Sequence, residues 1–207
     1  MRLFLTSGGF PKTAVNCRQE FLNLVGKSAD KIKVAYIPTA SKVEKDRTFA
    51  ETDRRELIEL GMLEANVFNL ELDHEITCEE LAKFDVIFVD GGNTFYLLQE
   101  VKKNGFDKAI HEYLNKDLGV YVGVSAGTVL AGPDIDFVAD WDDRTMAPEL
   151  KSTIALGLVE TAYSPHYTDA EAEILEKLRD RYSYPIKKLR DGKAILVNGS
   201  SARKIEN

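Results

Sequence analysis

Cysteine, histidine and tryptophan are scarce in this chain: two, three and one respectively in 207 residues. Cys17 and Cys78 lie far apart, with no C-x-x-C pattern. That excludes a disulfide framework and a cysteine-based zinc site, and both thiols are expected to be reduced. Long apolar runs are also missing. The apolar part of MRLFLTSGGFPK ends too soon to form a signal-peptide core, and no later stretch approaches a membrane span. A cytoplasmic protein with no membrane partner is expected. Basic runs are absent too, and the formal net charge is −7. Nucleic acid, whose binding rests on neutralising phosphates, is therefore not an expected partner. Any imidazole chemistry must come from His74, His111 or His166.

What is present fits a soluble globular chain: 44% hydrophobic and 29% charged residues. The length suits a single domain over residues 1–207 with a substantial core, as a monomer or a homodimer. No repeat, linker or low-complexity segment breaks the pattern. Short apolar segments alternate with longer amphipathic ones. Strands are predicted at Arg2–Thr6, Lys33–Ile37, Asn66–Leu70, Val86–Val89 and Val120–Val124. Helices are predicted over Pro11–Val25, Asp46–Leu60, Thr94–Lys103 and Asp107–Asn115. A short helix is capped by Thr77, with Glu80 completing a capping box. This order implies a doubly wound, mostly parallel sheet.

After Ala131 the pattern loosens. Gly132–Glu149 reads as an acidic loop, Leu158–Tyr163 as a strand and Asp169–Tyr182 as a helix. Ile186–Leu189, Ala194–Val197 and Ser201–Ile205 read as an antiparallel set around an Asp191-Gly192 turn.

Glycine clusters follow three strands: Ser7-Gly8-Gly9, Gly91-Gly92 and Gly123-Val124-Ser125-Ala126-Gly127. In such a sheet they gather at the carboxyl edge, where ligands bind. The last is the G-x-S-x-G pattern of a nucleophile elbow, which holds a serine on a sharp strand-to-helix turn. Ser125 is the candidate nucleophile. The Ala126 N–H, at a helix start, is aimed at a developing oxyanion. Gly92 is the candidate second donor, because glycines let backbone approach a bound carbonyl closely. Its neighbours Gly91, Asn93 and Thr94 are expected beside the substrate, with Asn93 or Thr94 also able to cap the next helix.

A serine nucleophile needs a base. His74 lies in a polar surface stretch and His111 within a helix. His166 follows an apolar strand, on a loop at a strand end just before a helix, and is the candidate base. The orienting carboxylate stays open among Asp134, Asp136, Asp140, Asp142, Asp143, Glu149 and Glu160.

The ordered set SGGF, DGGNT, GVSAG and SPHYTD resembles the peptidase E family of serine peptidases, which includes aspartyl dipeptidases and has cyanophycinase as a relative. The likeness runs from the first strand to the His166 loop. It implies a flavodoxin-like or class I glutamine-amidotransferase-like three-layer α/β fold. It also implies hydrolysis of short peptides through an acyl-enzyme, with no metal or cofactor. Carried over by motif, Ser125 is the nucleophile, His166 the base, and Gly92 and Ala126 the oxyanion donors. The family's acid lies fifteen residues after its serine, an offset that falls on Asp140. One feature departs from the family: an acidic helix with Asp169, Glu171, Glu173 and Glu176 follows the histidine motif. Specificity for an N-terminal aspartate needs a cation, for which Arg144, Lys12 and Lys42 are candidates.

Other readings remain. Glutamine amidotransferases place cysteine at position 125, where this chain has serine. A metal-dependent hydrolase could draw on Asp134, Asp136, Asp140, Asp142, Asp143 and His166, but the spacing matches no calcium loop and one histidine is thin for zinc. A metal-independent amidohydrolase acting on non-peptide amides would use the same serine. A non-catalytic small-molecule binding module would leave that serine unreactive.

Overall fold

Val86–Val89 and Val120–Val124 are apolar at every position but one glycine, and both strands are buried throughout. Strands that are apolar on both faces belong inside a sheet covered on two sides by helices. The computed structural model, which describes residues 1–206, places them there. In chain order the elements are β1 (Arg2–Thr6), α1 (Val15–Val25), β2 (Val34–Ile37), α2 (Thr48–Glu59), β3 (Val67–Asn69), α3 (Cys78–Leu81), β4 (Val86–Val89) and α4 (Thr94–Lys103). There follow α5 (Phe106–Asn115), β5 (Val120–Val124), α6 (Ala126–Leu130), β6 (Ala162–Ser164), α7 (Ala172–Arg181), β7 (Ile186–Lys188), β8 (Ala194–Asn198) and β9 (Ser201–Ile205).

Seven strands form one sheet in the order β3-β2-β4-β5-β1-β8-β9. The first five run parallel, while β8 is antiparallel to β1 and β9 to β8. The pleat divides the core in two. Leu3, Leu5, Ile87, Val89 and Tyr121 face one layer, with Leu97, Ile110 and Leu130 from the helices. Phe4, Phe88, Val122 and Val124 face the other, with Phe21 of α1 and Leu57 of α2. This is the three-layer α/β arrangement expected from the sequence.

Differences cluster at element ends and in the C-terminal third. The helix expected from Pro11 starts at Val15, because a turn from Ala14 N–H to the Pro11 carbonyl comes first. The strand expected at Leu158–Tyr163 shrinks to β6. Val159 instead turns back, and its N–H bonds the Ala131 carbonyl. The main correction concerns the terminal set. β7 does not join β8 and β9 but pairs in parallel with β6 as a separate small sheet. Asp191-Gly192 therefore lies on the link from that small sheet into β8, and the β8–β9 hairpin closes instead at Gly199-Ser200.

Candidate active site

The register of the sheet brings the site together. Thr6, the last residue of β1, pairs with Val124 of β5 on one side and Ala194 of β8 on the other. Because β8 runs antiparallel, its start lies at the carboxyl edge of β1 and β5. Ser125 and Asp191 thus reach the same edge from opposite chain directions.

Ser125 has φ 49° and ψ −108°, a region that costs a non-glycine residue about 1–3 kcal/mol. The surroundings hold it there. Its N–H donates to Thr6 O (3.2 Å), and the Thr128 hydroxyl lies 2.7 Å from both Thr6 O and Gly123 O. Glycine is needed on each side because a Cβ at 123 would fall 2.5 Å from Gly127 O, and one at 127 would fall 2.1 Å from Val89 O.

The Ser125 hydroxyl is 3.0 Å from His166 Nε2, and His166 Nδ1 is 2.8 Å from Asp191 Oδ1. With Nδ1 protonated toward the carboxylate, Nε2 is free to accept the serine proton. Ser7 joins the two partners. Its buried hydroxyl donates to Asp191 Oδ1 (2.6 Å) and accepts from the His166 N–H (2.6 Å). The His166 backbone is left-handed, with φ 54°. His166 and Asp191 are nonetheless open to solvent, with side chains 52% and 69% exposed. They are held by the Ser7 clamp, not by burial.

Asp140, the carboxylate implied by the family resemblance, is not in this position. It lies exposed past the turn Asp136–Val138, where its charge is felt at Tyr182, and no hydrogen bond joins it to His166 among the described residues. Asp191 escaped the sequence reading because Asp-Gly is a strong hairpin signal. Ser7 was visible only as part of a strand-end motif.

Gly92 has φ +125°, and a Cβ there would strike the Ala40 carbonyl at 2.4 Å. Its N–H has no acceptor among the described residues, and Ala126 is the first residue of α6, with no carbonyl four residues back to take its N–H. Asn93 is occupied with structure: its Oδ1 accepts from Tyr96 N–H and its Nδ2 donates to the Asp143 carbonyl. The Thr94 N–H donates to Asp142 Oδ2 (2.7 Å). His111 is tied to the Leu156 carbonyl, and His74 sits on the surface between Asp73 and Glu80.

Two cavities flank Ser125. One, of about 110 Å³, has an apolar wall of Val129, Val138, Trp141 and Pro165, with Glu171 at its edge. The other, of about 360 Å³, is lined by Gly8, Gly9 and Gly91, by Phe49, and by Glu44 and Asp53. Asp142 borders both, and no lysine or arginine lines either. The cations considered for a substrate carboxylate are paired elsewhere: Arg144 with Asp136, Lys12 with Glu59 and Lys42 with Glu71. Burial pushes the Asp142 carboxyl up, partly offset by its bond from Thr94. Among the described residues no group of three His, Cys, Asp or Glu is arranged to hold a metal ion, and no helix is long and apolar enough to cross a membrane.

The model of peptidase family S51 matches residues 3–205. An uncharacterized peptidase of Pasteurella multocida is 36% identical over 188 residues, covering 87% of this chain and 88% of its own. An uncharacterized peptidase of Listeria monocytogenes is 38% identical over 206 residues, covering 95% and 94%. The "probable alpha-aspartyl dipeptidase" of Drosophila melanogaster is 32% identical over 188 residues, covering 85% and 73%. A crystal structure assigned to a peptidase E protein of Listeria monocytogenes superposes with a TM-score of 0.83 at 32% identity, over 100% of this chain and 98% of that one. The chain belongs to peptidase family S51 and is by class a serine peptidase.

Proposed function

We propose that this enzyme hydrolyses short peptides through an acyl-enzyme on Ser125, with His166 as base and Asp191 as the carboxylate that orients it. The observation that carries this reading is the run of contacts from Ser125 Oγ to His166 Nε2 (3.0 Å) and from His166 Nδ1 to Asp191 (2.8 Å), on a serine held at positive φ. Attack of Oγ on the peptide carbonyl passes the hydroxyl proton to Nε2. The carbonyl oxygen becomes an anion, received by the N–H groups of Gly92 and Ala126. Asp191 stabilises the imidazolium without taking its proton. Collapse of the intermediate breaks the C–N bond, and Nε2 returns the proton to the leaving amine. A water activated by the same histidine then releases the acyl group as the free acid, restoring the serine.

Substrate size follows from the two small cavities, which leave room for about one residue on each side of the scissile bond. Asp142, at the junction of both, is placed to pair with the α-ammonium of a free N-terminus. A dipeptide with an apolar N-terminal residue is the model substrate, assayed free and N-acetylated, on wild type and on Ser125→Ala. Wild type is expected to cleave the free peptide at least roughly tenfold better in kcat/KM than the acetylated one. Ser125→Ala is expected to lose about four to six decades in kcat while remaining folded. Activity of the variant above about one percent of wild type would overturn the assignment. Equal turnover of free and acetylated peptides would overturn recognition of the N-terminus.

A further inference from the structure

The larger cavity beside Ser125 carries carboxyl groups, Glu44 and Asp53, that the hydrolytic reading leaves unused. Glu44, Asp53 and Asp142 face it, together with the ring of Phe49. Behind its wall the fully buried Asp90 meets Asp53. The Asp90 carboxyl accepts from the Tyr36 hydroxyl and is hydrogen-bonded to Asp53 and to the Gly91 N–H. Burial pushes Asp90, Asp53 and Glu44 all upward, and Asp53 reaches about 9 through burial and the facing Asp90.

The nearby cations do not answer this charge. Arg54 turns to Glu64 and the Val67 carbonyl, Arg18 to the carbonyls of Phe10 and Glu59, and Arg47 to the Lys42 carbonyl. Carboxyls crowded in a half-buried wall without a countercharge destabilise the empty protein. Such an arrangement persists where a bound group supplies the missing charge.

We infer that this cavity is a subsite for the cationic side chain of a lysine or arginine flanking the scissile bond, with Glu44 pairing its charge, Asp53 hydrogen-bonding it and Phe49 packing its stem. An aromatic face, a carboxylate and a neighbouring carboxyl oxygen suit an ammonium or guanidinium carried on methylenes. A bare divalent ion does not fit, since the described carboxylates are not grouped to ligate one. The smaller apolar cavity takes the other residue, so the preferred substrate joins one basic and one apolar residue.

This inference rests on the hydrolytic reading for its register, and the test separates the two. Lys-Leu and Leu-Lys are compared with their uncharged isosteres, norleucyl-leucine and leucyl-norleucine, by kcat/KM on wild type and on Glu44→Gln/Asp53→Asn. Binding of the same four peptides to Ser125→Ala is measured by calorimetry, and thermal melting checks that the variants fold. One lysine peptide is expected to exceed its norleucine twin by roughly tenfold or more, with that ratio falling toward one in the double variant. If the peptides are cleaved but lysine and norleucine are equal, or the ratio survives the double substitution, the subsite is overturned and hydrolysis stands. If none is cleaved but Ser125→Ala still binds a lysine peptide tenfold tighter than its twin, the subsite stands and peptide hydrolysis falls. If there is neither turnover nor preference in binding, both fall. Should the double variant fail to fold, Glu44→Gln alone carries the comparison, since its side chain is only partly buried.

Discussion

The first 131 residues and the remainder hold their functional groups in opposite ways. Ser125 stands on the central strand pair β1–β5, surrounded by buried residues, in a backbone geometry that glycines and a buried threonine enforce. His166 and Asp191 have exposed side chains on loops at the edge of the main sheet, and the hydroxyl of Ser7 bonds to both. Ser125 is thus fixed by packing, while the side chains of His166 and Asp191 are fixed by a few polar contacts. Packing is insensitive to small polar changes, whereas a clamp made of one hydroxyl depends entirely on that hydroxyl.

The largest effect that sharpens this contrast is at the acid. Asp191→Asn is expected to lower kcat by about 10⁴, because an amide favours the wrong imidazole tautomer. Asp140→Asn, on the exposed turn, should stay within about threefold of wild type, as surface changes away from a site do. The reverse order of effects would move the acid to Asp140.

A smaller effect is expected at the clamp. Ser7→Ala removes a hydroxyl that bonds to both His166 and Asp191, so kcat should fall by roughly ten- to a hundredfold, with KM little changed. A merely structural role would lower the melting temperature and leave kcat per folded molecule intact.

The smallest effect concerns stability inside the better packed half. Asp53 is raised to about 9 in the folded protein, chiefly by burial and then by Asp90 and Glu56, and its charge is felt at Tyr36. A carboxyl raised on folding stabilises fully below its unfolded value of about 3.9, and that contribution is lost as pH rises toward 9. Asp53→Asn should therefore raise the melting temperature at pH 8 by roughly 2–4 °C per kcal/mol recovered, and change it little at pH 4. Thermal melts at the two pH values check this, and a lower melting temperature at pH 8 would show that the carboxylate is stabilising after all.

The same division explains what could be read from the sequence. The strands Val86–Val89 and Val120–Val124 and the helix Thr94–Lys103 fall where the apolar pattern puts them, because each is set by burial on a repeating period. Ser125 and His166, the pair proposed here as nucleophile and base, stand out in the sequence for a related reason: each follows a buried strand. Asp191 does not. Its place depends on β8 running antiparallel beside β1 and on β7 leaving for another sheet, and those are long-range pairings that leave no local mark. Glu44 and Asp53 carry no motif in the sequence, and only the fold brings them to the cavity beside Ser125. Asn93 shows the converse, since a residue in a telling motif is occupied with capping α4.

The central claim is that Ser125 is made nucleophilic by His166, and a fluorophosphonate probe tests it most directly. Intact-mass measurement is expected to show one adduct per chain, mapped by peptide digestion to Ser125, with labelling abolished in Ser125→Ala and slowed by at least about a hundredfold in His166→Ala. A folded wild-type protein that takes no label at Ser125, or that labels equally fast without His166, would contradict it.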